Sequence, residues 1–368
     1  MADGIGESDD ELVRGGALLG CGSGGSGGSG GGSGSCREAA ESEEVIAELM
    51  KIRGVGEKLA RELYERGIHS ISALARAVAV PDDIRLLARY HHRMCEDVSI
   101  ATARSFLATV EVMILSRAAA AATAAKQGSE KWQQLTLVHD VLLVGAHRRQ
   151  HPSKHDIDAL IVLSSPSALP LPEAEPKPEA EPEAERSERV TETLERMLSE
   201  SKQYLGTLKR GAWRYSFLWS FDLPPAALKR PSRRAPAKDV TVVDIQLCPA
   251  SQRGAALLHS TGPAEFNILL RKRAISMGCS LSEHGLFRLM PTPATPATPA
   301  TLAEAKPAKQ SEKAAEARRE RSRAAKRLIH AATEEGIFSA MGLPFIDPAD
   351  RGEEPAHLLI TRTPLPPQ

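Results

Sequence analysis

The residues best suited to chemistry are three aspartates in two apolar segments. Asp156-Ile157-Asp158 opens the run DIDALIVL. Side chains alternate along a strand, so both carboxylates share one face and Ile157 takes the other. Two hard oxygen ligands placed in this way can bridge a pair of Mg²⁺ ions roughly 3.5–4 Å apart. Asp-x-Asp is also common in loops, and short motifs alone give many false positives. The third carboxylate, Asp244, sits inside VVDIQL. A lone aspartate in a core strand is unfavourable unless it is paired or binds metal. The bland alternative is a strand-edge aspartate facing solvent.

Such side chains need elements to position them. Residues 137–144 read as a strand closed by Gly145, and His147-Arg148-Arg149 begins a helix. Strand, glycine turn, helix start and a strand bearing Asp-x-Asp form the arrangement of a nucleotidyltransferase palm. The glycine lets backbone N–H groups approach phosphate oxygens, and Arg149 can add a bidentate contact. Without the aspartates, the arginines would read as an ordinary surface pair. Residues 240–247 form the strand that carries Asp244. Upstream, residues 44–78 show helical periodicity broken at Gly54-Val55-Gly56, and 83–127 continue as helix. Residues 191–204 and 312–332 also read as helices, and the last element spans 336–344 before a Pro-rich tail.

The formal net charge is zero over 368 residues, but unlike parts are averaged. Residues 1–44 carry −7 and residues 170–189 carry −4, leaving +11 on the rest. A basic body suits a polyanionic partner, and equally a plain solubilising surface. Five scattered cysteines show neither zinc spacing nor a disulfide framework. No secretory signal or transit-like stretch opens the chain. Apolar runs such as Val141-Leu142-Leu143-Val144 are too short to cross a bilayer, so no membrane role is expected. Trp213 and Trp219 read as packing residues, and His91-His92 as packed or solvated rather than metal-binding. The basic stretch around Arg318–Arg327 reads as a solvated helix face.

Taken in order, the motifs resemble those of the family X DNA polymerases, the lambda branch most. Gly145-Ala-His-Arg-Arg-Gln followed by Asp156-Ile-Asp158 resembles the family's phosphate loop and metal pair at matching spacing. Val243-Asp244-Ile-Gln-Leu-Cys-Pro249 resembles its third-aspartate strand, and Ala256 to Arg271 its nucleotide-binding segment. Ser280 to Phe287 and Gly342 to Arg351 resemble its C-terminal lobe. Ile52-Arg-Gly54-Val-Gly56-Glu-Lys58-Leu-Ala60 and Leu63-Tyr64-Glu-Arg-Gly67-Ile-His-Ser-Ile71 resemble its helix-hairpin-helix, and one such motif is read. That hairpin reaches DNA phosphate through Gly54, Val55, Gly56 and Lys58, directly or through a monovalent cation.

The resemblance implies roles by position. Asp156 and Asp158 would bind both ions, Mg²⁺ or alternatively Mn²⁺. Asp244 would bind the catalytic ion and help deprotonate the primer 3′-OH. Gly145, Ala146, Arg149 and His155 would line the triphosphate. His259 and Ser260 would lie under the sugar, Gly262 would belong to the same nucleotide-binding segment, Asn267 would reach the minor-groove edge of the new pair, and Arg271 the template. The reaction implied is in-line attack of the 3′-OH on a dNTP α-phosphate, filling short gaps in gapped or broken duplex DNA during base excision repair or end joining. A monomer acting in the nucleus follows from the same resemblance, with an organellar pool and other DNA repair proteins as further associations. Template-independent terminal addition, and a catalytically weak end-binding scaffold, remain the alternatives.

Several positions depart from the family pattern. Ala146 replaces a serine, His155 a glycine, Val242 an arginine, and His259-Ser260 a Tyr-Phe pair. The smaller, more polar pair implies weaker discrimination against ribonucleotides. Relatives have a cis bond after the glycine of Thr-Gly-Ser. Here Pro263 follows Gly262, which lowers the cis penalty from about 3 kcal/mol to under about 1, so cis is expected there. No lyase or BRCT-like segment is expected before Val45, so deoxyribose phosphate removal is not predicted.

The fold class expected is α+β: a palm with a mixed β-sheet, a helical helix-hairpin-helix subdomain before it, and a small α+β nucleotide-binding lobe after it. The boundaries read as a disordered acidic and Gly/Ser-rich N-terminus over 1–43, the helical subdomain over 44–128 and the palm over 129–260. Disordered insertions are expected near 165–189 and 223–238. The lobe spans 261–358, with a low-complexity insertion near 291–311, and a tail spans 359–368.

Overall fold

The computed structural model describes residues 32–123, 129–153, 156–164, 182–221, 238–290 and 326–366. Helices α1 (Gly32–Leu49), α2 (Glu57–Glu65), α3 (Ile71–Leu74) and α4 (Asp82–Tyr90) form the first subdomain. Leu49, Ile52, Val55, Leu63, Leu74 and Ile84 pack as its core. Helix α5 (Ile100–Ala122) then leads to a central sheet of β1 (Val138–Leu143), β2 (Asp156–Leu163), β3 (Tyr204–Arg210), β4 (Arg214–Ser220) and β5 (Val240–Pro249), ordered β1-β2-β5-β4-β3. Only β2 and β5 run parallel; the other neighbours are antiparallel, which makes the sheet mixed.

The two faces of this sheet are covered differently. Ile157, Ile161, Phe217, Trp219, Val243 and Ile245 point to one side and pack on Phe106, Val110 and Ile114 of α5, and on Leu194 and Met197 of α7 (Glu183–Ser199). On the other side two separate groups share the work. Leu218, Val240 and Val242 are buried by the helical subdomain. Leu160, Val162 and Cys248 are buried by Ala256 and Leu257 of α8 (Arg253–Thr261). Alternation places residues 156, 158 and 244 on this second face, in the seam between the two covers.

The C-terminal lobe holds α8, α9 (Ala264–Ser276), the antiparallel strands β6 (Cys279–Ser282), β7 (Gly285–Leu289) and β8 (Lys326–His330), α10 (Glu334–Ala340) and α11 (Glu354–Arg362). Phe266, Leu270, Leu286, Ile337, Phe338 and Ile360 form its core. Buried Arg273 donates to the carbonyls of Met341, Ile360, Thr363 and Pro364, which ties the end of α11 to α9.

The structure corrects several sequence expectations. Helix α1 begins at Gly32, inside the stretch read as disordered. Helix α7 begins at Glu183, inside the expected insertion, and ends at Ser199 rather than 204, because Tyr204 opens an edge strand. Residues 326–330 are strand, not the end of a charged helix; they pair with β7. Helix α11 runs into the expected tail. Its Pro355 falls in the first turn, where a missing N–H costs nothing. One helix, α5, is long and apolar enough to cross a membrane by composition, contrary to expectation. Three of its side chains, Phe106, Val110 and Ile114, pack in the core against the central sheet. His155, most of the expected insertions and residues 312–325 lie outside the described residues.

Candidate active site

The parallel register of β2 and β5 builds the carboxylate cluster. Asp158 pairs directly with Asp244, and Asp156 lies opposite Val242. Ligand oxygens of Asp156, Asp158 and Asp244 all lie within 4.8 Å of one another. Each carboxylate is partly exposed at the seam. The Ser153 hydroxyl donates to Asp156 Oδ1, and the Ser216 hydroxyl donates to Asp244 Oδ1. Arg53, from the loop between α1 and α2, donates to Asp244 Oδ2 at 3.0 Å.

The electrostatics call for a cation. Burial, then the neighbouring charges of Asp156 and Asp244, push Asp158 up to about 7, against the weaker opposing pull of Arg53 and Arg149. Three acids in a partly desolvated seam therefore fit a divalent ion, whose charge removes the repulsion. A pH test follows. Metal binding needs the ionised carboxylate. Mn²⁺ affinity is expected to fall about tenfold per pH unit below 7 and to level off above it. The linkage has a definite sign. A carboxyl held above its ordinary value of 3.8 costs the metal-free protein stability as pH rises towards 7. Mn²⁺ should therefore raise the melting temperature more at about pH 8 than at about pH 6. Affinity independent of pH between about 5.5 and 7 would remove Asp158 from the ion's shell.

Helix α6 (Gly145–Arg148) presses on this cluster. Gly145 has φ +60°, and a Cβ there would lie 2.1 Å from Asp158 Oδ2. The glycine is thus required by the carboxylate as well as by any phosphate. Ala146 follows it within the same turn. Arg149 donates to the Thr261 carbonyl at the end of α8, beside Gly262. The Gly262–Pro263 bond is cis, as expected from the sequence.

A cleft of about 390 Å³ joins these parts, lined by Arg53, Asp158, Asp244, Gln246, His259 and Ser260 among others. His259 is held on two sides: Asn267 donates to its carbonyl at 2.8 Å, and Arg271 lies 2.9 Å from its Nδ1. Guanidinium only donates, so Nδ1 is the acceptor and the proton sits on Nε2. Burial lowers the His259 pKa, against the charge of Glu283 and with that of Arg271. Ser260 donates to Gln246 at 2.8 Å. Asn267 and Arg271 therefore brace His259 in this state.

The hairpin residues fall apart into two kinds. Gly54 takes φ +92° and Lys58 is nearly fully exposed. The Val55 side chain is buried in the helical core, so only its backbone can meet a ligand. Sequence reasoning missed Arg53, Ser153 and Ser216 as carboxylate partners. It also missed the ion-pair network of Arg148, Glu334 and Arg351 that joins α6 to the lobe.

The DNA polymerase beta thumb family matches residues 256–352, and the SAM-like helix-hairpin-helix tandem family matches residues 46–90. The tandem match runs on through α4, beyond the one motif, ending at Ile71, that is read from sequence. No curated protein matches the sequence. Among solved structures, the ternary P/T complex of Leishmania infantum polymerase beta is similar, with a TM-score of 0.57 and 22% identity over 84% of this chain and 99% of that one. The ternary gap complex of the same protein gives 0.56 and 21%, over 85% and 91%. The chain thus has the α+β fold of these polymerase beta structures, and a segment that matches the polymerase beta thumb family follows the strands that carry its carboxylate cluster.

Proposed function

We propose that this chain is a family X DNA polymerase that fills short gaps in duplex DNA from dNTPs. One observation carries the reading: three carboxylates from two paired strands meet in the seam between a helix-hairpin-helix subdomain and a thumb-type lobe. Asp156, Asp158 and Asp244 would hold Mg²⁺, or Mn²⁺ in its place. Bound there, divalent ions neutralise triphosphate charge and favour the ionised primer hydroxyl. The chain's own share is positioning and fixed charge. Arg149, half-buried beside the Thr261 carbonyl, sets a permanent positive charge at the turn at Gly262, where it is felt by Asp158. His259, neutral and braced by Asn267 and Arg271, presents a fixed polar surface on the sugar side of the cleft. Exposed Lys58 and the backbone at Gly54 and Gly56 suit phosphates of the primer strand. The lambda-like branch, action as a monomer, repair by base excision or end joining, and a nuclear site belong to the same proposal and rest on the sequence motifs.

The test is primer extension on one-nucleotide-gapped duplex DNA with Mg²⁺ or Mn²⁺. Templated addition of one nucleotide is expected, and Asp244→Ala should reduce it by at least about 10³-fold. Untemplated addition to single strands would move the reading to terminal transfer. Tight end binding with no addition would leave a scaffold.

A further inference from the structure

Arg53 reaches Asp244 across 191 residues of sequence. It stands next to Gly54, at the base of the α1–α2 hairpin. That hairpin is anchored by Val55, whose buried side chain belongs to the same core as Val240 and Val242 of β5. The arginine therefore rides on an element seated directly on the strand that carries Asp244. It also lines two clefts at once: the one containing Asp158 and Asp244, and a neighbouring one of about 480 Å³ that contains Asp156. Both Asp244 oxygens already accept hydrogen bonds, Oδ1 from Ser216 and Oδ2 from Arg53. A divalent ion at Asp244 must share or replace the guanidinium, and two cations on one carboxylate oxygen repel. Arg53 is 57% exposed, so little packing holds it there. A phosphodiester offers a guanidinium a better, bidentate partner than a single carboxylate oxygen.

We propose that Arg53 is a positioning residue that couples the hairpin to the metal site: it occupies Asp244 in the free protein and is drawn off by DNA phosphate, so that DNA and a divalent ion bind with positive cooperativity. This rests on the polymerase reading above. The coupling is reciprocal, as linkage requires: DNA tightens the ion, and the ion tightens DNA.

The experiment measures Mn²⁺ affinity of the full chain by titration. It is done alone and with one-nucleotide-gapped duplex whose primer ends in a dideoxynucleotide, which prevents turnover. For the wild type, DNA should tighten Mn²⁺ about fivefold. Arg53→Gln should tighten Mn²⁺ by a similar factor without DNA and lose most of the DNA-dependent gain. Arg53→Lys keeps the charge and should retain part of the coupling. A residue that only supports the fold would not raise metal affinity when removed. The proposal is overturned if wild type and Arg53→Gln bind Mn²⁺ equally without DNA, or if DNA tightens both alike. Mn²⁺ binding that is lost in Asp244→Ala yet indifferent to Arg53 sinks the coupling alone. No Mn²⁺ binding to the wild type in either condition sinks both the coupling and the polymerase reading.

Discussion

Gly145→Ala is expected to reduce single-nucleotide addition at least about 100-fold while leaving the chain folded. Two independent costs meet at this position. The backbone has φ +60°, a conformation that charges a residue with a Cβ roughly 1–2 kcal/mol. The added methyl would also lie 2.1 Å from Asp158 Oδ2 and 2.9 Å from its carboxyl carbon. No rotation of the methyl relieves that contact, so either α6 or the carboxylate must shift. Asp158 is one of the three acids whose ligand oxygens lie within 4.8 Å of one another, and a displacement of about 1 Å takes it out of register. Mn²⁺ affinity should fall together with activity. The melting temperature should fall little, because Ile157, Leu160 and Ile161 still fill the cores on both faces of β2. Activity within about threefold of wild type would show that the carboxylate can move without consequence.

The contrast between local and distant signals explains what could be read from the sequence. Asp156 and Asp158 were legible because alternation along one strand is a local property. Asp244 was legible because one charged residue interrupts an apolar run. The pairing of β2 with β5, which sets Asp158 against Asp244, followed only from the family resemblance. The edge strand β1 was legible, but β3, β4 and β8 were not. Most of β3 is only half-buried, so its alternation is weak, and the helical pattern before it was carried through Tyr204. Strand β8 was read as helix because its flanks are rich in Ala, Arg and Glu; pairing with β7 overrides that preference. Ion pairs between distant elements left no mark at all. Arg53 meets Asp244 across 191 residues, and Arg148 meets Glu334 across 186. Neither spacing carries a periodicity that a sequence could display. The departures at Ala146 and His259 were visible as letters, but the bracing of His259 by Asn267 and Arg271 was not.

Glu334→Ala is expected to destabilise the C-terminal lobe by about 3–5 kcal/mol, the cost of stranding a buried charge. Glu334 begins α10 and is 4% exposed; Arg351, which donates to it at 2.8 Å, is wholly buried. Arg148 reaches the same carboxylate at 2.6 Å and 3.1 Å and also donates to the Thr261 hydroxyl at 2.7 Å. One acid thus lies between two guanidinium groups. The rings of Phe266, Phe338 and Phe345 lie 5.6–5.7 Å from the Arg351 guanidinium carbon. Arginine does not deprotonate to escape burial, so removal of Glu334 leaves Arg351 with the Ile346 carbonyl as its remaining described acceptor. Glu334→Gln keeps shape and one acceptor and should cost less. Glu334→Ala combined with Arg351→Met should recover part of the loss, since the orphaned charge is gone. The damage should also reach the site. Arg148 stands between Gly145 and Arg149, and its bond to Glu334 holds α6 against the lobe that carries His259. Looser registration of these parts should raise the KM for nucleotide more than it lowers kcat, provided the assay is run well below the melting temperature. Calorimetry separates the outcomes. A variant that melts with the wild type would show that solvent reaches Arg351 and that the network contributes nothing to holding α6 and the C-terminal lobe together.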